Sequence, residues 1–326
     1  MSILAAAHTR RVKRMPTPAR WAAAGFLLLL VLSALVPGLF TAADPLRTDI
    51  GEALLVPGPG HPFGTDQAGR DVFARVIYGS RYSLAIGFGA TLIALVSGLV
   101  IGSLAGLMHR LGDGVLSRAI EIVMAFPEFL LALIVIAIIG PGEASLLVAV
   151  AIAVIPAYAR VARVQTLVVK RAGYVEAART LGVSPAVTVL HHVLPNTLGP
   201  LLVMATMGIG TAITAVAGLS FLGLGPKPPT PEWGLILSEG RNFLATAWWI
   251  AVFPGLVITA TVVSTSILGR HLQARSAGRQ RCASSRCATY AWFCRVRRPP
   301  WSTASRSASP PGNASGSWGS PVPVRR

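Results

Sequence analysis

The sequence lacks the residue spacings that nucleotide hydrolysis and ester hydrolysis require. A phosphate-binding loop requires Gly-Lys followed by Ser or Thr, because its backbone N–H groups and its lysine hold the phosphates. Each of the three lysines is instead followed by arginine or proline: Lys13, Lys170 and Lys227. The run from Gly218 to Gly223 is one residue too long for the Gly-x-Ser-x-Gly turn of esterases, which also requires a preceding strand. We therefore predict that this chain is not an enzyme and has no catalytic residues.

The histidines and cysteines do not form a metal-binding pattern either. His191 and His192 are adjacent, so on a helix they point about 100° apart, whereas a pair that binds one metal ion is spaced i, i+4. The cysteines show neither Cys-x-x-Cys spacing nor nearby histidines: Cys282, Cys287 and Cys294. We predict that the protein binds neither a metal ion nor a cofactor.

The composition indicates what kind of secondary structure positions the remaining polar residues. Of the 326 residues, 53% are hydrophobic and only 13% are charged, whereas an ordinary soluble domain carries about 25% charged residues. The mean hydropathy is +0.62. These values indicate an all-α, polytopic membrane protein.

Six segments are candidates for membrane-spanning helices, each of which requires roughly 20 apolar residues. Four of them contain no charge: 21–40, 82–108, 197–225 and 242–269. Segment 119–142 contains Glu121 and Glu128 but is otherwise strongly apolar, and segment 144–159 is apolar but short. Segment 21–40 is longer than the apolar run of a signal peptide, about 7–15 residues, and lacks a small-x-small cleavage pattern, so we expect it to remain as an anchor.

The orientation follows from the basic residues, which are retained on the cytoplasmic side. The N-terminal tail, residues 1–20, carries five of them, and segment 160–196 carries five against Glu176 alone. Segment 41–81 instead has four arginines against five acids. We therefore predict that both termini, 109–118 and 160–196 are cytoplasmic, and that 41–81 and 226–241 are external. Without a span at 144–159, the most basic loop would lie outside.

The cytoplasmic segment 160–196 contains the signals for a helix, a break and a second helix. Residues 176–181 favour a helix, Gly182 suits a left-handed cap, and Ser184 followed by proline suits the start of a helix. Ala177 and Ala178 carry almost no side chain, so a partner surface could approach the backbone closely beside Glu176. The alternative is a solvated loop with two ordinary amphipathic helices.

Two features within the spans have a predicted role. Three glycines spaced by four residues form a flat strip on one helix face, which favours close helix packing: Gly98, Gly102 and Gly106. Glu128 follows Pro127, which frees a backbone carbonyl and kinks a helix, so this pair could line a translocation path and meet a charged solute. Alternatively, Glu128 pairs with a neighbouring helix or lies near a membrane interface. Glu121 is expected to pair with Arg118 at i, i+3.

The helix-break-helix segment resembles a motif of ABC importers. Glu176-Ala177-Ala178, then Gly182, then Leu194-Pro195 is similar to the EAA loop of importer permeases, with His192 at the position that is usually isoleucine. Further stretches resemble the C-type permease subunit of the peptide/nickel importer family, of dipeptide or oligopeptide type. These stretches are 61–71, 79–84, 125–127, 219–225 and 228–234, and the resemblance covers roughly residues 15–270.

The resemblance implies a type I ABC importer permease fold with six spans in the bacterial cytoplasmic membrane. Five of the spans and the EAA loop, about 164–196, would form a core at 82–269. The loop would supply a coupling helix that docks on a separate ATPase subunit. The residues implied in coupling are Tyr174, Glu176, Ala177, Ala178, Arg179, Gly182, Leu194 and Pro195.

The implied partners are a homologous permease, two ATPase subunits, an external solute-binding protein, a peptide and membrane lipid, with no nucleic acid. External turns within 61–71 would pack on the outer gate, meet the binding protein or serve only as rigid turns. Within the same fold, the solute could instead be a nickel chelate or another small molecule.

The C-terminal segment 270–326 differs in composition from the remainder of the chain. It contains eleven arginines, all three cysteines and no acidic residue, and it lacks the ending that is usual in the family. This composition favours a low-complexity, disordered tail. The alternatives are a membrane-tethered binder of nucleic acid or anionic lipid, and translation in a shifted reading frame.

Overall fold

The computed structural model describes residues 17–108 and 110–296, and the side chains of residues 18–108 and 111–274. The described residues form ten α-helices, with a long connection between the first two and shorter ones between the others. In chain order these are α1 (Thr17–Leu35), α2 (Val72–Leu107), α3 (Arg110–Met124), α4 (Glu128–Ile139), α5 (Glu143–Lys170), α6 (Gly173–Thr180), α7 (Pro185–Thr188), α8 (Leu194–Phe221), α9 (Trp233–Gly240) and α10 (Trp249–Val296). The prediction of an all-α chain is confirmed.

Among the described residues, five helices are long and apolar enough to cross a membrane: α1, α2, α5, α8 and the first part of α10, Trp249–Ala274. A sixth candidate consists of α3 and α4 together, which are bent by 91° relative to each other. These helices confirm a polytopic membrane protein with about six spans. Helix α10 continues to Val296, within the basic segment 270–326, and residues 297–326 lie outside the described residues.

Several helices extend beyond the apolar runs that predicted them. Helix α2 begins at Val72 because the Asp71 side chain caps it, accepting a hydrogen bond from Ala74 N at 2.8 Å. Helix α5 continues to Lys170, and α3 begins at Arg110, so parts of both predicted cytoplasmic loops are helical. Hydropathy locates the part of a helix that suits lipid, and polar turns can extend the same helix beyond it.

The predicted span 119–142 is not one straight helix. Helix α3 ends at Met124, and α4 begins at Glu128 after the 91° bend. Pro127 has no N–H to continue α3, and its carbonyl oxygen accepts from Leu131 N at 3.1 Å in the first turn of α4. The predicted kink at Pro127 is therefore a break between two helices in the structure. Arg118 and Glu121 on α3 form the expected ion pair at 3.0 Å.

The glycine strip of α2 packs against α5, as predicted. A Cβ atom at Gly98 would collide with Tyr158, and one at Gly102 would collide with Ala159 and Ala162. The absence of side chains on this face therefore allows the two backbones to approach closely. Helices α2, α4, α5 and α8 together enclose the largest apolar core.

A buried ion cluster fixes the segment before α2 to the end of α9. Asp66 Oδ2 accepts from Arg70 Nε and from Arg75 Nη1, both at 2.6 Å. Arg75 Nη1 also donates to Glu239 Oε2 at 2.7 Å, and Asp66 and Arg75 are fully buried. Gly64 and Gly69 have φ values of +72° and +73°, which shape the two turns around Asp66. In the structure these turns pack within the chain, around the buried Asp66.

A second buried carboxylate, Glu232, begins α9. It accepts hydrogen bonds from the backbone N–H groups of Gly234 and Leu235, at 3.0 and 2.9 Å, and from Ser83 Oγ at 3.1 Å. Burial raises the pKa of the Glu232 carboxyl above its usual value, although these hydrogen bonds act in the opposite direction. The capped helix is thereby fastened to α2.

Candidate coupling site

The candidate site is built on α6, which follows α5 after two residues. Ala172 links the two helices by hydrogen bonds, since its N–H donates to Val169 O at 3.0 Å and its carbonyl accepts from Glu176 N at 3.2 Å. A connection that is this short and this well bonded leaves little freedom between the helices.

The end of α6 forms the predicted glycine cap. Gly182 has a φ of +80°, and its N–H donates to Arg179 O at 3.0 Å. The N–H of Val183 donates to Ala178 O at 3.1 Å. These two bonds form a Schellman motif, which satisfies carbonyl groups that the end of the helix leaves without partners.

The second helix of the site begins as predicted. Ser184 Oγ accepts from Val187 N at 3.4 Å, and Pro185 occupies the first turn of α7. Helix α7 and the π-turn Val189–Val193 then lead into α8. The predicted pattern of helix, break and helix is therefore confirmed.

The sequence-predicted residues of α6 divide into an exposed and a buried set. Tyr174, Glu176, Ala177 and Arg179 are exposed. Ala178 is buried, so the structure presents only one of the two alanines that were expected to form a bare surface. The small side chain of Ala178 instead allows α6 to pack onto its own chain.

The π-turn that precedes α8 contacts α6 through aromatic rings. The rings of Tyr174 and His192 lie 6.3 Å apart, edge to face. Asn196 Nδ2 donates to His192 O at 2.7 Å. Leu194 and Pro195 occupy the first turn of α8, where they set the direction in which the chain returns to the helical bundle.

Sequence reasoning missed three exposed apolar side chains in the same segment. Leu181 is 83% exposed at the end of α6, and Val187 and Leu190 are exposed on the second helix and π-turn. Together with Tyr174, they are four exposed apolar side chains in a segment that is otherwise polar. Exposed apolar side chains concentrated in one short segment are typical of a protein interface. Their hydrophobicity was visible in the sequence, but their exposure was not.

Pro127 and Glu128 lie on a different part of the chain, at the break between α3 and α4. Both side chains are exposed. Among the residues that the structure describes, no basic group lies within ion-pair distance of Glu128. The structure therefore does not bring this predicted pair together with α6, and it shows no intrachain ion pair for Glu128.

A large part of the helical region matches a known protein family. Residues 98–278 match the family described as "Binding-protein-dependent transport system inner membrane component". The chain belongs to this family. The matched range includes α3 to α9 and the whole of the candidate site.

Curated relatives of this permease are named as peptide transporters. The dipeptide transport system permease protein DppC of Alkalihalophilus pseudofirmus is 40% identical over 74% of this chain and 80% of its own length. The di/tripeptide permease DppC of Pseudomonas aeruginosa is 38% identical over 76% of this chain and 84% of its own length. The probable D,D-dipeptide permease DdpC of Escherichia coli is 39% identical over 74% and 81%.

Solved structures support the same fold. A crystal form of the inward-facing MetNI methionine ABC transporter matches with a TM-score of 0.51 at 21% identity, covering 62% of this chain and 96% of that chain. This likeness shows the type I permease fold. The chain is a permease subunit of an ABC importer and a multi-pass membrane protein.

Proposed function

We propose that this permease subunit translocates di- and oligopeptides across the bacterial cytoplasmic membrane. The names of its curated relatives support this solute class. The subunit would act with a homologous permease, two ATPase subunits and an external solute-binding protein. Both termini and α6 would face the cytoplasm, because the basic residues of the segment 160–196 are retained on that side.

The exposed apolar side chains on and after α6 are the observation that carries the coupling role. Tyr174 and Leu181 offer apolar area at the two ends of the helix, with Ala177 between them. Glu176 and Arg179 place one charge of each sign beside that area, which fixes the register of a docked partner. Gly182, Leu194 and Pro195 would act by shaping the loop rather than by contact.

Transport would proceed by alternating access. The partner ATPases would bind and hydrolyse ATP, and their closure would displace α6. Since α6 joins α5 through two hydrogen-bonded residues, the displacement would pass directly into a spanning helix. Glu128 and Pro127 would line the path of the peptide, because an acidic group within an apolar helix pair normally faces protein or water.

The charge of Glu176 gives a direct test of the coupling site. In the complete transporter, Glu176→Lys should abolish co-purification of the ATPase subunits and uptake of a labelled dipeptide. The reversal places a second positive charge beside Arg179 on the docking surface. Glu121→Lys is the matched control, because Glu121 is also an exposed glutamate but lies on α3. The control should retain both association and uptake.

The same experiment separates the coupling site from the solute class. If Glu176→Lys leaves association and uptake unchanged, α6 is not the docking site. If the wild-type transporter accumulates a nickel chelate and no dipeptide, the solute class is wrong while the coupling site stands.

A further inference from the structure

Helix α3 is held to the rest of the chain by few apolar contacts. Among residues 111–124, Ile120 alone is buried, while Leu111 and Val115 on the same helix are largely exposed. A helix that buries so little apolar surface gains little positional restraint from packing. Another interaction must fix α3 against its neighbours.

A bidentate ion pair supplies that restraint. Arg163 Nε donates to Asp113 Oδ1 at 2.5 Å, and Arg163 Nη2 donates to Asp113 Oδ2 at 2.8 Å. Ser117, one turn further along α3, donates to the same carboxylate at 3.2 Å. Two parallel bonds from a planar guanidinium fix orientation as well as distance. Both side chains are about three-quarters buried, in contrast to the exposed pair on the same helix.

The position of Arg163 connects this ion pair to the candidate coupling site. Arg163 lies on α5 two turns before Lys170, the last residue of that helix. Lys170 Nζ donates to Gly106 O, at 3.4 Å, near the end of α2. Helices α2 and α5 are already interlocked along the glycine strip, so a displacement of α6 would move them together. Helix α3 is the neighbouring helix whose movement together with α5 depends on a polar interaction.

The bend after α3 gives that helix freedom to move by itself. Three residues, 125–127, separate α3 from α4 at the 91° break. We infer that the Asp113–Arg163 ion pair is a positioning pair, which makes α3 follow α5 and α6 and so carries the movement of the coupling site into the broken span. This inference rests on the proposed role of α6 as the docking site.

The test uses the complete transporter reconstituted in proteoliposomes. Asp113→Asn keeps the size of the side chain and removes its charge, so the ATPase subunits should remain bound while peptide uptake per ATP hydrolysed falls about fivefold or more. The reversed pair, Asp113→Arg with Arg163→Asp, should recover much of the ratio. Arg118→Gln with Glu121→Gln, on the exposed pair of α3, should not change it.

A distance measurement distinguishes coupling from a merely structural role. With the native Cys282, Cys287 and Cys294 replaced by serine, nitroxide labels at two exposed positions, Val115→Cys on α3 and Val168→Cys on α5, should keep a constant separation through the ATP cycle while Asp113 and Arg163 are intact. In the Asp113→Asn variant that separation should change between nucleotide states.

The inference is overturned if assembled Asp113→Asn transporters keep the normal ratio of uptake to hydrolysis. It is also overturned if the labels move apart through the cycle while Asp113 and Arg163 are intact. If the single variants do not assemble, the reversed pair decides the question. Assembly with a normal ratio of uptake to hydrolysis then supports the inference. Assembly with a low ratio and a constant distance between the labels refutes it. Failure of the docking role would appear separately, as unimpaired ATPase association of Glu176→Lys.

Discussion

Replacing Asp66 with alanine should destabilise this permease by about 3–5 kcal/mol, because it breaks a buried ion cluster by removing one partner. Asp66 accepts from two guanidinium groups at 2.6 Å, and its other oxygen accepts from Ala68 N and Arg70 N at 2.8 and 3.0 Å. With Asp66 absent, Arg70 and Arg75 share Glu239 alone. The cluster then changes from neutral to a net charge of +1 in a site that water scarcely reaches.

Two further variants separate the charge from the backbone contacts. Asp66→Asn keeps an oxygen for the two backbone N–H groups but has no charge, so it should be nearly as unstable as Asp66→Ala. Asp66→Asn combined with Arg75→Met leaves one positive and one negative group, so it should recover part of the lost stability. Glu121→Ala is the control for an exposed pair, and it should change stability by about 1 kcal/mol or less.

Reversible denaturation of the purified subunit in mixed detergent micelles would measure these free energies of unfolding. The reasoning fails if Asp66→Ala is no more destabilising than Glu121→Ala. It also fails if the neutral double variant is less stable than Asp66→Asn, because the uncompensated charge would then not be the cause.

Two other predictions test the close helix approach and the buried acid. Gly102→Ala should lower the free energy of unfolding by about 1–3 kcal/mol, since its Cβ would collide with α5. Gly114→Ala on α3, where a Cβ meets open space, should instead raise the free energy of unfolding by about 0.5–1 kcal/mol. Equal effects of the two variants in detergent denaturation would contradict the packing argument. The folded-state pKa of Glu232 lies above its ordinary value of 4.5, so the stability that Glu232 contributes is fully present below that value and declines as pH rises through the folded pKa. Glu232→Gln should lack this decline, and a parallel pH dependence of the thermal midpoint in both proteins would show that another group is responsible.

Local signals in the sequence were sufficient for much of the coupling segment. Gly182 and Ser184 act within a few residues of their own position, so the cap of α6 and the start of α7 could be predicted from residue type. The spacing of Gly98 and Gly102 likewise predicted a packing face. What the spacing could not give was the partner helix, because many helices can cover a flat strip.

The burial of individual side chains on α6 could not be predicted from the sequence. Ala177 and Ala178 are identical residues at adjacent positions, and only the docking of α6 against its own chain makes one exposed and the other buried. Leu181 has the composition of a core residue, yet it is exposed. Exposure depends on neighbours from distant parts of the chain, which no short window contains.

The sequence by itself determined that this protein is helical, lies in a membrane and carries a capped helical segment between two spans, since apolar length and capping are properties of consecutive residues. Only the tertiary structure decided the 91° angle of the break after α3 and the partners of the protein's buried charges. Arg75 and Glu239 are 164 positions apart, and Asp113 and Arg163 are 50 apart. Such pairs form because packed helices place them within hydrogen-bond reach, where leaving either charge buried alone would be costly.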